Sequence, residues 1–356
     1  HLNIRVNQRL PQKIRYENKK GMYAIMFFKK CAIIASVFCL CGSIVTAAEN
    51  NIDNIDNIDV HAQSAYILDA DTGAEVYAKN ADEKLYPGGT TMIMTALLGA
   101  EAGDALLDKP IKLSAEADTL DSDVAVLGLS RDKSVTVRNA LTAMMTYTGC
   151  DVALGTAVTV APSVSEFVRR MNDKAALIGA LNTHFVNPHG LPDKEHYSTA
   201  RDLAKIGAYA MNNSTFKSFT GYTFFEMPYI TGGKEVVYSL NEFLTSGYRG
   251  ADGIKTGATD FGGATLVASA TRDGKTFVVS VLNSDDRSGD ARRLMDYAFS
   301  QVKNEAPTET TMSDNAKNPD DSAYVLRDAP AGQTLTDIAA QYHTPVQNSA
   351  VKTEIL

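Results

Sequence analysis

The chain has 356 residues, 44% hydrophobic and 21% charged. That is the balance of a folded protein of one large domain or two ordinary ones, and it excludes a fibre or a wholly disordered polymer. The charge is uneven: residues 1–48 hold eight Lys/Arg and one acid, Glu17, leaving 26 basic against 41 acidic residues from Glu49 onward. A body that acidic is a poor binder of phosphate backbones, so nucleic acid is not an expected partner. Its acidity serves solubility.

The basic end has its own explanation. Lys29-Lys30 precedes an apolar run, Cys31 to Val45, and then Thr46-Ala47-Ala48. A positive flank, an apolar stretch and a small-residue cleavage zone make a secretory signal, read here as starting at Met22 or Met26. The run is short for a membrane span. An uncleaved anchor is the alternative, and Phe38-Cys39-Leu40 lacks the small residues expected before a lipidated Cys41. Residues ahead of the signal read as upstream extension, so residues 1–48 form no domain and the protein is expected to be exported. Cys31, Cys39 and Cys41 leave with the signal, and Cys150 then stands alone with no partner for a disulfide.

Residues 49–60 carry the triplet NID three times and read as an acidic spacer. Asp53, Asp56 and Asp59 lack the glycine and the bidentate Glu of a calcium loop. Two short apolar runs, Ala65–Leu68 and Glu75–Ala78, flank an Asp-Thr-Gly turn and predict a hairpin. Leu85 to Glu101 reads as a turn, Tyr86-Pro87-Gly88-Gly89, running into an amphipathic helix. Further helices are expected over Val135–Met145, Ser165–Ile178 and Thr199–Met211, the last opened by a capping-box-like Thr199-Ala-Arg-Asp202. From Gly221 the period becomes two, predicting strands at Tyr222–Met227, Glu235–Ser239, Gly263–Ala270 and Thr276–Leu282, with a tight turn at Asp273-Gly274. Asp290–Phe299 closes as a helix. Helices segregated against an antiparallel sheet define an α+β domain over residues 61–302.

Three segments, Lys84–Glu101, Asn182–Met211 and Asp252–Ser284, together resemble the serine D-Ala-D-Ala carboxypeptidases, the low-molecular-mass penicillin-binding proteins. The resemblance implies the β-lactamase/transpeptidase fold, an antiparallel sheet flanked by helices with an all-helical lobe and the cleft between. It also implies three motifs. Ser-x-x-Lys puts nucleophile and base on one face of a helix start. Ser-x-Asn lines the cleft from the helical lobe. Lys-Thr-Gly lies on the strand at the cleft edge and holds the substrate carboxylate.

Here the motifs depart from that pattern. The serine position is Gly89 and the lysine position is Met92. The Ser-x-Asn segment matches Thr148-Gly149-Cys150. Only Lys255-Thr256-Gly257 is intact, and it is the expected substrate-binding site. Glycine has nothing to acylate and methionine cannot take a proton, so the acyl-enzyme route is expected to be closed. Thr90 and Thr91 lack a lysine three residues on. Cys150 reads more readily as a small buried residue than as a nucleophile. Arg201 reads as a helix-start salt-bridge partner. His184 and His189 read as turn and packing residues, and no metal or cofactor is expected. Gly89→Ser with Met92→Lys would restore penicillin labelling wherever the cleft is otherwise intact.

Residues 303–322 are polar and Pro-containing, a linker. Residues 323–356 resemble the first half of a LysM module, on Gly332-Gln-Thr-Leu335, Ile338-Ala339 and Tyr342; an incidental helical tail is the alternative. The expected protein is an exported, catalytically inactive relative that binds peptidoglycan stem peptide, glycan or a partner protein. Residual or altered peptidase activity is the competing reading. A copy that binds nothing is the third.

Overall fold

The computed structural model describes residues 58–304. The signal segment, most of the acidic spacer, most of the linker and the LysM-like tail lie outside the described residues.

Five strands form one antiparallel sheet in the order β2-β1-β7-β6-β5. They are β1 (Ser64–Asp69), β2 (Glu75–Lys79), β5 (Ala251–Thr259), β6 (Gly263–Arg272) and β7 (Lys275–Leu282). Alternation decides their faces. Tyr66 and Leu68 of β1 join one buried cluster with Val267 and Val278; Ala65 and Ile67 join another with Leu266 and Val279. A sheet apolar on both faces must be covered on both. The closing helix, Arg287–Asn304, covers one face through Leu294, Met295, Ala298 and Phe299. The helix Ala200–Met211 covers the other, with the helical lobe packed beyond it. The β6–β7 hairpin turns on Asp273 (φ 51°) and Gly274 (φ 80°), both left-handed, as a two-residue primed turn requires.

The lobe holds α1 (Met92–Glu101), α2 (Val137–Thr146), α3 (Cys150–Val160) and α4 (Val164–Ile178); α5 (Ala200–Met211) lies between it and the sheet, and the closing helix is α6. Caps set several starts. The Thr136, Ser163 and Thr199 hydroxyls accept from the amides of Asn139, Glu166 and Asp202. Thr199 is the start expected from the capping-box pattern.

Three expectations need correction. The helix after Gly89 is not amphipathic: nine of the ten residues of α1 are buried, so it is a core helix apolar on every side. Gly99 makes that possible, because a Cβ there would sit 2.7 Å from Leu141 Cδ1 of α2. The strands expected at Tyr222–Met227 and Glu235–Ser239 do form, as β3 (Phe224–Pro228) and β4 (Lys234–Tyr238), but as a separate two-stranded ribbon. Only Met227 and Val237 of that ribbon are buried; Phe224 and Tyr238 face outward as a cross-strand pair. Helix α3 was not anticipated. Its sequence, CDVALGTAVTV, is rich in β-branched residues that lower helix propensity, and burial overrides them.

Candidate active site

The turn Gly88–Thr91 is wedged between the sheet and the loop at residues 184–198. The carbonyl of Pro87 accepts from Thr90 Oγ1 at 2.7 Å and from Thr265 Oγ1 of β6 at 3.1 Å. Behind it, Gly190 (φ +86°) backs onto Gly88; a Cβ on Gly190 would lie 1.9 Å from the Gly88 oxygen. Thr91 Oγ1 is 2.9 Å from His196 Nε2, and His196 Nδ1 accepts from the Val186 amide at 3.1 Å. The ring proton is therefore on Nε2 and Thr91 accepts it. Thr95 Oγ1 donates to the Pro188 carbonyl at 2.6 Å. Both threonine hydroxyls beside Gly89 are thus buried and occupied.

Gly89 faces β5 at backbone distance. A Cβ on Gly89 would come within 2.9 Å of the Thr256 carbonyl oxygen and 3.2 Å of Gly257 Cα. A Cβ on Gly257 would lie 2.4 Å from the Gly89 nitrogen and 2.6 Å from Thr265 Oγ1. Turn and strand meet through two residues without side chains, so a side chain at either position requires one element to move. This opposes the expected rescue by Gly89→Ser with Met92→Lys: the seat is filled by the strand. Met92 is 1% exposed, and its Sδ accepts from Thr148 Oγ1 at 3.7 Å.

Lys255 is 1% exposed and donates to the Tyr147 carbonyl at 2.6 Å. No carboxylate pairs with it among the described residues. Burial first, and the Arg287 guanidinium second, push its amine from an ordinary 10.5 down to about 7. Cys150, at the first turn of α3, goes the other way: burial, aided by Asp151, pushes its thiol up to about 12. A thiol so rarely ionised is a poor nucleophile at neutral pH. Asp151 accepts from the amides of Leu127 and Leu129 at 2.9 and 3.0 Å and fastens that loop over the start of α3.

The structure therefore brings together residues from three places: Gly89 and Met92, Thr148 and Cys150, and Lys255 to Gly257. Sequence reasoning missed Arg287. It lies at the start of α6, its Nη1 donates to the Gly257 carbonyl at 2.8 Å, and Glu242 holds its other nitrogens at 2.9 and 3.2 Å. No local motif marks it, because its partners lie 30 and 45 residues away. Arg201 lies elsewhere, pairing with Asp82 and Glu75 and stacking over Tyr66.

The histidines are packing groups by geometry. His189 Nδ1 accepts from the Leu191 amide at 3.2 Å and His196 Nδ1 from Val186, so each ring is held as the neutral Nε2–H tautomer. Burial depresses both to about 4. No cluster of three or more metal-ligating side chains occurs among the described residues. Unfolded histidines take a proton below about 6.5 and the folded ones only near 4, so stability is complete above pH 6.5 and falls as pH drops towards 4. At most about 3 kcal/mol is lost per histidine over that window. Urea melts at pH 7.0 and 4.5 should show the drop, and His189→Gln should flatten part of the slope.

An antiparallel sheet with one helix behind, an all-helical lobe in front, and a Lys-Thr-Gly strand facing a helix start are the arrangement that the resemblance to the D-Ala-D-Ala carboxypeptidases implies. The D-alanyl-D-alanine carboxypeptidase family model matches residues 47–286, and the chain belongs to that family. It is 34% identical over 250 residues to the D-alanyl-D-alanine carboxypeptidase DacF of Bacillus subtilis, covering 68% of this chain and 63% of that one. The crystal structure of the Streptomyces K15 DD-transpeptidase matches with a TM-score of 0.61 at 33% identity, covering 68% of this chain and 98% of that one. The carboxypeptidase DacD of Francisella tularensis gives 0.63 at 27% identity, covering 71% and 74%. Solved variants of the Streptomyces enzyme replace a serine and a cysteine two positions apart, the spacing of Thr148 and Cys150 here.

Proposed function

We propose that this chain is a cell-wall member of the carboxypeptidase family that has given up acyl transfer and kept a binding role, towards peptidoglycan stem peptide or glycan. The observation that carries the reading is the contact of Gly89 with the Thr256 and Gly257 backbone. With glycine at 89 and methionine at 92, that contact supports a site without the family's nucleophile and base and without room for an acyl group on residue 89. The missing base at Met92 and the filled hydroxyls of Thr90 and Thr91 support it. Removing the nucleophile from such a unit costs about 10⁶ in rate. An export signal would place the protein at the wall; no helix among the described residues is long and apolar enough to cross a membrane.

Binding is tested by sedimentation of the full chain with purified peptidoglycan. Retention in the pellet supports the reading, and a chain that stays in the supernatant contradicts it. Removing residues 323–356 should weaken the retention, as a LysM-like tail requires; unchanged retention would remove the tail from the account.

One observation favours the second reading, altered peptidase activity. Lys255 has an amine poised near neutrality, the range in which a general base works best. In that case D-Ala release would rise with a midpoint near pH 7 and vanish in Lys255→Met.

A further inference from the structure

Beside residues 84–86, just ahead of the Pro87–Thr91 turn, lies a cavity of about 360 Å³ that none of the motif residues lines. Its walls come from the segment before the turn, the β5–β6 connection and the loop at 184–198. Gly262 packs its backbone on Tyr86, where a Cβ would meet Tyr86 Cβ at 2.9 Å, so the aromatic wall is firmly seated.

The lining combines aromatic rings, lysines and side-chain amides. Tyr86 and Phe261 stand at the rim with ring centroids 6.4 Å apart, tilted by 58°. Phe261 is 77% exposed, an unusual place for a phenyl ring at a strand connection. Lys84 lies 4.2 Å over the Tyr197 ring. Lys194 is exposed with no carboxylate within ion-pair distance among the described residues. At the exposed margin, Asn283 Nδ2 donates to Gln63 Oε1 at 2.6 Å, and Gln63 Nε2 donates in turn to Glu83. These amides are fixed before any ligand arrives.

We propose that this cavity binds an acidic glycan: a chain of N-acetylated sugars carrying free carboxylates, as peptidoglycan strands do once their stem peptides are removed. The proposal rests on the cell-wall reading above and names the ligand more narrowly. Sugar rings offer an apolar C–H face to the rims of Tyr86 and Phe261. Their hydroxyls and acetamides match the Gln63–Asn283 pair. Their carboxylates meet Lys84 and Lys194, two cations on a body that is otherwise strongly acidic. An extended peptide fits less well. It would want an open strand edge for its backbone, and the sheet contributes only the ends and turns of β1, β6 and β7 here.

The test uses the full chain and two probes, intact peptidoglycan and soluble peptide-free glycan strands from amidase-treated wall. Hydrogen exchange read by mass spectrometry reports where the strands sit. The expected result is protection over residues 84–86 and 260–263 on adding peptide-free strands. Phe261→Ala and Lys194→Glu should each remove that protection and raise the dissociation constant at this site by about tenfold. Two results overturn the proposal: no protection of those segments, or protection that both variants retain. If the chain still sediments with intact peptidoglycan in that event, the cell-wall reading stands without this cavity. If it does not, both fall.

Discussion

Lys255→Met is expected to make the protein more stable, not less. The wild-type amine is buried and meets only the Tyr147 carbonyl. Its fall from 10.5 to about 7 corresponds to a desolvation cost of at most about 5 kcal/mol at neutral pH. Methionine has a similar length and no charge to desolvate. It leaves the Tyr147 oxygen without its donor, a cost of about 1–3 kcal/mol. The net gain should be at most about 2–4 kcal/mol, visible as a higher urea midpoint at pH 7. Titration gives an independent signature. The unfolded lysine binds its proton below about 10.5 and the folded one only below about 7, so wild-type stability falls as pH drops through that window. The Met variant should lack this slope. Equal slopes in both proteins would mean that Lys255 stays charged in the folded state, with a partner the geometry does not contain. A group kept at such a cost is what a binding site retains and a fold alone would not.

Gly89→Ser is expected to destabilise the protein and to restore nothing. The new Cβ meets the Thr256 oxygen at 2.9 Å, and the strand that must yield is held on its other side by β6. Overpacking of this kind costs about 1–3 kcal/mol. Adding Met92→Lys places a second amine in a site 1% exposed, against Thr148 and so beside the Tyr147 carbonyl that Lys255 already bonds, and should cost several kcal/mol more. The double variant should therefore melt earlier than wild type and take no penicillin. A double variant that folds as well as wild type and becomes acylated would show that turn and strand part easily, and the closed cleft would have to be abandoned.

The fold was legible in the chain wherever a periodic pattern and a stop signal coincided. The Asp273-Gly274 turn and the Thr199 cap were readable because one or two residues set the local backbone. Strand β5 was reached only through resemblance, since Gly253 and Gly257 erase its alternation. Helix α3 escaped because its residues prefer strands, and Gly155, needed where a Cβ would strike the Lys112 oxygen at 2.6 Å, breaks the helical pattern further. The motif positions could be assigned from sequence, but their consequence could not. Reading Gly89 as an empty seat left open whether space remained, and only the approach of Thr256 and Gly257 answers that. Arg287 and the Tyr86–Phe261 cavity depend on contacts between segments far apart in the chain, which no local pattern encodes.

The most direct test of the central claim is the intact mass of the protein after incubation with excess penicillin, run beside an assay for D-Ala release from a D-Ala-D-Ala pentapeptide. An unchanged mass and no D-Ala are expected. A mass increased by one penicillin, mapped to any residue, together with D-Ala release, would mean that the cleft opens and holds another nucleophile, and the chain would be an enzyme after all.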